Sequence, residues 1–214
     1  KQRRHMARER EKDAGPSINL ADILRSHDRF ADAAKAYDQA FERIPTLETR
    51  HWTLLYTRGI ALERSKQWPR AEADFLKALK LKPDQPYVLN YLGYSWIEKG
   101  SKLDRAQKMI QKAAKFRPND GYIIDSLGWG HYKLGNFEKA VGHLERAVEL
   151  RPQDPIINDH LGDAYWRVGR HREAVFQWER SLTLDAKEDL VAKIGQKLKK
   201  GLVEGTETAK KTPQ

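Results

Sequence analysis

Three side chains near position 160 are of the types that bind metal ions. His160 follows Asp159 directly, and Asp163 comes three residues later. Residues three apart on a helix share a face, so His160 and Asp163 are expected to point the same way. Two or three ligands from one helix are too few for a structural metal site without a second element. The spacing therefore favours polar contacts with a partner, and we expect neither a metal nor a cofactor.

The motifs that mark enzyme chemistry are missing from the sequence. It has no glycine-rich phosphate loop, no Gly-x-Ser-x-Gly nucleophile turn and no zinc-protease histidine pair. It has no cysteine, which excludes disulfides and cysteine nucleophiles. Its carboxylates have no partner placed for acid–base work. We therefore expect a protein that is not an enzyme.

The net charge of +10 lies largely at the two ends of the chain. Residues 1–13 and residues 189–214 each carry six Lys/Arg against three Asp/Glu. Residues 14–188 carry 28 Lys/Arg against 24 Asp/Glu, a net charge of only +4. A nucleic-acid-binding domain more often shows a continuous basic stripe on its folded body. The distribution favours solvated flanking segments and argues against nucleic acid as the partner.

A unit of about 34 residues recurs along the chain and must position these side chains. In the stretch from Gly121 to Asp154, Gly128 lies within a first helix, Ala140 and Ala147 mark a second helix, and Pro152 closes it. Glycine costs about 1 kcal/mol of helix propensity relative to alanine, so its recurrence indicates a close approach of two helices. The pattern predicts an all-α fold, an α-solenoid of helix–turn–helix units. Five units are predicted, at 14–47, 52–85, 86–120, 121–154 and 155–188.

The segments outside the five units are predicted separately. Residues 1–13 are a basic arm or the end of an upstream repeat, set apart by the Gly15-Pro16 pair. Residues 189–202 place Leu190, Val191, Ile194 and Leu198 on one helical face, which is typical of a helix that caps a repeat array. Residues 203–214 are polar, and we expect them to be disordered.

The recurring unit resembles the tetratricopeptide repeat (TPR) over residues 14–188, in its Leu-Gly pairs, its alanines and its closing prolines. The resemblance implies a right-handed superhelix whose first helices line a concave groove. The residues at the groove-facing positions are mostly aromatic, with polar groups among them: Tyr56, Tyr87, Asn90, Tyr91, Tyr94, Tyr122, Asp125, Trp129, Tyr132, Asp159, His160, Asp163, Trp166 and Arg167.

Tyrosine, tryptophan and arginine dominate the hot spots of protein interfaces. We therefore expect a peptide or a partner segment to bind in this groove, centred on the third and fourth units. The alternative for any single ring is that it packs between adjacent first helices. Tyr91, Tyr94 and Trp129 are expected at positions that the fold does not need to fill.

A narrower resemblance covers residues 86–186. The phrases VLNYLGYSWIEKG, DGYIIDSLGW and INDHLGDAYWRVGRHREAVFQWERSL are similar to the C-terminal part of bacterial cell-envelope TPR proteins. These include outer-membrane lipoproteins that act as adaptors for carboxy-terminal-processing proteases. The resemblance implies a periplasmic or envelope-associated scaffold, with a cytoplasmic location as the alternative. The lipid-bearing cysteine of such lipoproteins is absent from this sequence.

Two other classes of function stay open beside the protein-binding scaffold. The first is an RNA-binding helical repeat protein that stacks its aromatic rings on bases. Asp125, Asp159 and Asp163 in the expected groove argue against it, and a steep loss of RNA binding with salt would favour it. The second is a self-assembling module, which a concentration-dependent particle size would favour.

Overall fold

The computed structural model describes residues 14–202, so the basic arm predicted at 1–13 and the disordered tail predicted at 203–214 lie outside the described residues. Within 14–202 the chain forms eleven α-helices and one short 3-10 helix, with no strand. The all-α repeat fold predicted from the sequence is confirmed. The α-helices are α1 (Gly15–Ser26), α2 (Phe30–Glu42), α3 (Trp52–Arg64), α4 (Trp68–Leu81), α5 (Pro86–Glu98), α6 (Leu103–Phe116), α7 (Gly121–Lys133), α8 (Phe137–Leu150), α9 (Pro155–Arg167), α10 (His171–Thr183) and α11 (Glu188–Lys200).

The helices belong to two compact units, the first ending at Val88 and the second beginning at Leu89, within α5. In the first unit, α1 packs against α2, α2 against α3, and α3 against α4. In the second unit, α6 packs against α7, α7 against α8, α8 against α9, and α9 against α10. Helix α11 follows and packs against α10. Each unit is therefore a stack of helix hairpins.

Glycines at the middle of the first helices let the two helices of each hairpin approach closely. A Cβ atom on Gly162 would lie 2.5 Å from Cδ1 of Trp178, which is buried in α10. The same relationship recurs in each of the last four hairpins, so the small residue and the bulky residue are one packing feature. The pairs are Gly59 with Phe75, Gly93 with Ile110, Gly128 with Leu144, and Gly162 with Trp178.

Aspartate side chains cap the N-termini of α7 and α9, which are the first helices of the last two hairpins. Asp120 Oδ1 accepts hydrogen bonds from the backbone N–H of Tyr122 and Ile123 at the start of α7. Asp154 does the same for Ile156 and Ile157 at the start of α9. A side-chain cap of this kind satisfies N–H groups that lack an intrahelical partner. These caps fix where α7 and α9 begin.

No helix among residues 14–202 combines the length and the apolar character that crossing a bilayer requires.

Candidate functional site

The predicted groove residues divide between the two compact units. Tyr56 lies on α3 in the first unit, where it is half-buried between Trp52 and Phe75, and this burial raises its pKa to about 12. Tyr87, at the start of α5, is exposed. The other twelve lie in the second unit, on its first helices α5, α7 and α9. The second unit therefore holds most of the candidate site.

Trp129 is buried, which contradicts the expectation that its position is one the fold leaves unfilled. Only 6% of it is exposed, and its Nε1 donates a hydrogen bond of 2.6 Å to Glu98 Oε1 at the end of α5. Its ring stacks on Tyr132, with centroids 4.6 Å apart, and on His160, with centroids 4.0 Å apart. The Lys133 ammonium lies 4.9 Å from the Trp129 ring centroid. Trp129 and the fully buried Tyr132 pack between adjacent first helices, which is the alternative interpretation given above.

His160 connects α9 to α7 through a buried ion pair. Its Nδ1 lies 2.9 Å from Asp125 Oδ1, and both side chains are less than a tenth exposed. Burial alone would lower the pKa of His160, because it penalises the charged imidazolium. Attraction by Asp125, the hydrogen bond with it and the charges of Asp159 and Asp163 outweigh burial, and the pKa is raised above 6.5. The three carboxylates thus favour a positive charge at His160.

Asp159 and Asp163 are held by a cation from the last helix. Lys197 Nζ on α11 lies 2.8 Å from both Asp159 oxygens and 2.8 Å from Asp163 Oδ2. Trp178 Nε1 donates a further hydrogen bond of 2.9 Å to Asp163 Oδ1. Burial acts to lower the pKa of Lys197, but the two carboxylates outweigh it and raise the pKa. These aspartates, predicted to face a partner, share one cation within the chain.

A metal site is not formed around His160. Among residues 14–202, no group of three or more His, Asp or Glu side chains is arranged to hold a metal ion. His160 is engaged by Asp125, and Lys197 occupies the space between Asp159 and Asp163.

The two predicted residues at the end of α9 also contact other parts of the chain. The Trp166 ring stacks on His171, with centroids 4.2 Å apart, and lies against the backbone of Gly201 just after α11. Arg167 Nε donates a hydrogen bond of 3.3 Å to the hydroxyl of Tyr132. The α9 part of the predicted groove is therefore largely covered by α11 and the residue that follows it.

The open part of the site lies on α5 and at the beginnings of α7 and α9. Tyr122 is 51% exposed and Ile156 is 50% exposed, one residue after the start of their helices. On α5, Asn90, Tyr91 and Tyr94 are half-buried. Asn90 Oδ1 is buried and has no hydrogen-bond partner. An unpartnered buried acceptor costs free energy, so it is suited to accept a hydrogen bond from a bound ligand. We call Asn90, Tyr91, Tyr94, Tyr122 and Ile156 the open first-helix surface.

Sequence reasoning missed three residues that shape the site. Ile156 is the second residue of its unit, as Tyr122 is of the preceding unit, so consistent use of the repeat would have found it. Glu98 lies four residues after Tyr94, on the same side of α5. Lys197 lies outside the repeat, where no position in the pattern corresponds to it. The only signal for Lys197 was the amphipathic character of its helix.

Successive helix hairpins, each with a small residue on its first helix packed against a bulky residue on its second, define a helical repeat protein. Two family models match the chain: a tetratricopeptide repeat model at residues 18–86 and 56–120, and a TPR repeat model at residues 131–169. The chain belongs to the tetratricopeptide repeat family. A search of curated protein sequences finds no match.

Solved structures of the same fold have low sequence identity to this chain. TTC0263, a thermophilic TPR protein of Thermus thermophilus, is 19% identical with a TM-score of 0.71, over 86% of this chain and 98% of that one. MamA 41-end from Desulfovibrio magneticus RS-1 is 22% identical with a TM-score of 0.66, over 82% and 97%. YrrB, described as a TPR protein with an unusual peptide-binding site, is 20% identical with a TM-score of 0.61, over 88% and 95%. At these identities the likeness establishes the fold alone.

Proposed function

We propose that this chain is a non-enzymatic scaffold that binds a peptide or an extended segment of a partner protein. The observation that carries the proposal is the open first-helix surface, where half-buried and exposed apolar side chains accompany the unpartnered Oδ1 of Asn90. Aromatic rings anchor a partner because they bury a large surface area on binding. A buried amide oxygen can orient the partner by accepting a hydrogen bond from one of its backbone N–H groups. Peptide binding by YrrB, a structural neighbour, is consistent with this function.

The proposed surface is narrower than the groove expected from the sequence. Trp129, Tyr132, Asp159, His160 and Asp163 are buried and have partners within the chain, so they are not part of the proposed contact surface. Tyr122 and Ile156, together with α5, supply the contacts. Trp129 is therefore a poor residue to mutate in a test of binding, because its truncation would damage the packing of the fold as well as any binding.

Site-specific photo-crosslinking in the native organism tests the proposal. A photoreactive phenylalanine analogue in place of Tyr122 should form a discrete adduct with one partner or a few. The matched control is the same analogue in place of Phe176, which is 59% exposed on the second helix α10. Equal adducts from both positions, or none from position 122, would contradict a partner-binding role for the first helices.

Mutation of the same surface gives an independent measurement. The Asn90→Ala/Tyr122→Ala variant should recover the crosslinked partner at least tenfold less well, since removal of hot-spot contacts commonly costs more than about 1.4 kcal/mol. Helicity by circular dichroism should be unchanged, because Tyr122 is exposed and Asn90 Oδ1 has no partner to lose. Undiminished recovery of the partner by this variant would show that the open first-helix surface is not the binding site.

A finer form of the proposal is an adaptor in the bacterial cell envelope. It is supported by the resemblance of residues 86–186 to envelope TPR proteins. Fractionation of native cells tests it, because an envelope adaptor should be recovered in the periplasmic or membrane fraction. Recovery in the cytoplasmic fraction would leave the scaffold function standing and exclude the envelope role.

A further inference from the structure

Within residues 14–188, the positive charge is concentrated in one helix and its flanking turns. Residues 99–117, which comprise α6 and its flanking turns, hold seven Lys/Arg and one Asp, a net charge of +6. The rest of residues 14–188 hold 21 Lys/Arg against 23 Asp/Glu, a net charge of −2. The body of the protein is therefore nearly neutral apart from this segment, although the sequence totals placed the excess mainly at the chain ends.

Four of these cations form a row along the outer side of α6. Arg105, Lys108, Lys112 and Lys115 are all exposed, and their spacing of three, four and three residues places them within about 80° of each other around the helix. The row is about 15 Å long, from the rise of 1.5 Å per residue. The opposite side of α6 is buried, and consists of Ala106, Gln107, Ile110, Ala113 and Ala114. We call the four exposed cations the basic row.

An exposed aromatic ring ends the basic row. Phe116 is 49% exposed, and its neighbours in the sequence are Lys115 and Arg117. At 100° per residue, its side chain leaves the helix within about 20° of Arg105, on the same side as the row. Cations with an apolar ring among them are the composition that helices use to lie on an anionic bilayer surface, where the ring enters the boundary between headgroups and acyl chains.

We propose that the outer side of α6 binds an anionic lipid surface, with the basic row on the headgroups and Phe116 inserted beside them. Three of the four cations in the row are lysines, which act as point charges and suit a diffuse layer of headgroups. Nucleic acid recognition favours the planar fork of arginine or a platform of several stacked rings. The observations on α6 therefore favour lipid over nucleic acid.

The lipid-binding side and the proposed protein-binding surface lie on different helices. The basic row lies on a second helix of its hairpin, whereas the open first-helix surface lies on α5, α7 and α9. The two surfaces share no residue, so each can be removed without the other.

Co-sedimentation with vesicles tests the proposal on the full chain. Vesicles of 70% phosphatidylcholine and 30% phosphatidylglycerol at about 0.1 M salt should bind the chain, whereas vesicles of pure phosphatidylcholine should not. Each cation near an anionic bilayer contributes roughly fivefold to partitioning. The Lys108→Gln/Lys112→Gln/Lys115→Gln variant should therefore bind about 100-fold more weakly, and Phe116→Ser several-fold more weakly.

A matched variant controls for the loss of net charge. Lys193→Gln/Lys199→Gln/Lys200→Gln removes three exposed cations of α11 in the same compact unit, and it should reduce vesicle binding less than fivefold. Equal losses in the two triple variants, or no binding of the unmodified chain to anionic vesicles, would overturn the proposal. A 20-base-pair DNA duplex is the competing probe. If it bound more tightly than vesicles and were lost in the α6 variant, the row would be a nucleic acid site instead.

Discussion

His160 Nδ1 on α9 lies 2.9 Å from Asp125 Oδ1 on α7, and both side chains are almost fully removed from water. The two residues are 35 positions apart and come from successive repeats. A charged pair at this depth stabilises the contact between first helices only while both charges are present. The pair therefore makes the stability of the second unit depend on pH.

The stabilisation by His160 should be lost as the pH rises. Its pKa is raised in the folded chain, because Asp125 and the other carboxylates outweigh the effect of burial. A group of this kind contributes fully below its unfolded pKa of 6.5, and the contribution disappears as the pH passes through the raised folded value. NMR titration of the imidazole should give a midpoint above 6.5, and Asp125→Asn should lower that midpoint. A midpoint unchanged by Asp125→Asn would show that the ion pair does not control His160.

The stacked pair of His131 and His143 should have the opposite pH dependence to His160. His131 on α7 and His143 on α8 stack with centroids 5.4 Å apart, and burial lowers the pKa of both, helped by the charge of Lys139. Their contribution is fully present above pH 6.5 and is lost as the pH falls through their lowered folded pKa values. Urea unfolding between pH 5 and 7 should show a smaller decrease in stability for His143→Gln than for the unmodified chain. The same decrease in both proteins would exclude this histidine as a source of acid sensitivity.

Removal of the Lys197 charge should destabilise the second unit strongly. Lys197→Met leaves Asp159 and Asp163 buried without their shared cation, which typically costs about 3–5 kcal/mol in the free energy of unfolding. Urea denaturation measures this cost. Lys193→Met on the exposed side of the same helix is the control and should change stability by less than about 0.5 kcal/mol.

A third variant separates the loss of charge balance from the loss of packing at this site. Lys197→Met/Asp159→Asn/Asp163→Asn should recover part of the stability, because no uncompensated charge stays buried. If it were no more stable than Lys197→Met, the cost would come from packing and the account of the ion pairs would be wrong.

Two glycine-to-alanine substitutions should change stability in opposite directions. Gly162→Ala places a Cβ atom 2.5 Å from the Trp178 ring and should cost about 1–3 kcal/mol by overpacking. Gly142, inside α8, has no atom within 4 Å of the corresponding Cβ position. Gly142→Ala should therefore stabilise the fold by about 0.5–1 kcal/mol through helix propensity. Thermal unfolding of the two variants checks both signs, and destabilisation by both would exclude the close approach as the cause.

The repeat made the helices predictable from the sequence. Helices α3, α5, α7 and α9 begin at Trp52, Pro86, Gly121 and Pro155, the residues that open the predicted units. Each of these units contains its own glycine and its own bulky partner within 34 or 35 residues. Local information of this kind is enough to place helices and to pair the two helices of a hairpin.

The site was less predictable, because its contacts join different repeats. The pattern correctly placed Trp129 on the face of α7 that includes Asp125, but it gave no distance to Glu98 or His160, which lie 31 residues before and 31 residues after it. These two neighbours decide that the ring is buried. Lys197 was still less predictable from the repeat, because it lies on α11, outside the predicted units. Contacts between repeats need the three-dimensional structure.

The ion pair between Asp125 and His160 also limits the order in which the repeat units can follow one another. The last four units of the chain are alike in length and in their packing residues, yet Asp125 needs the histidine of the following unit and Trp129 needs the glutamate of the preceding one. Exchange of the fourth and fifth units would leave each of these groups facing the wrong neighbour. The repeats of this protein are similar in sequence without being interchangeable parts, and their order is as much a part of the fold as their number.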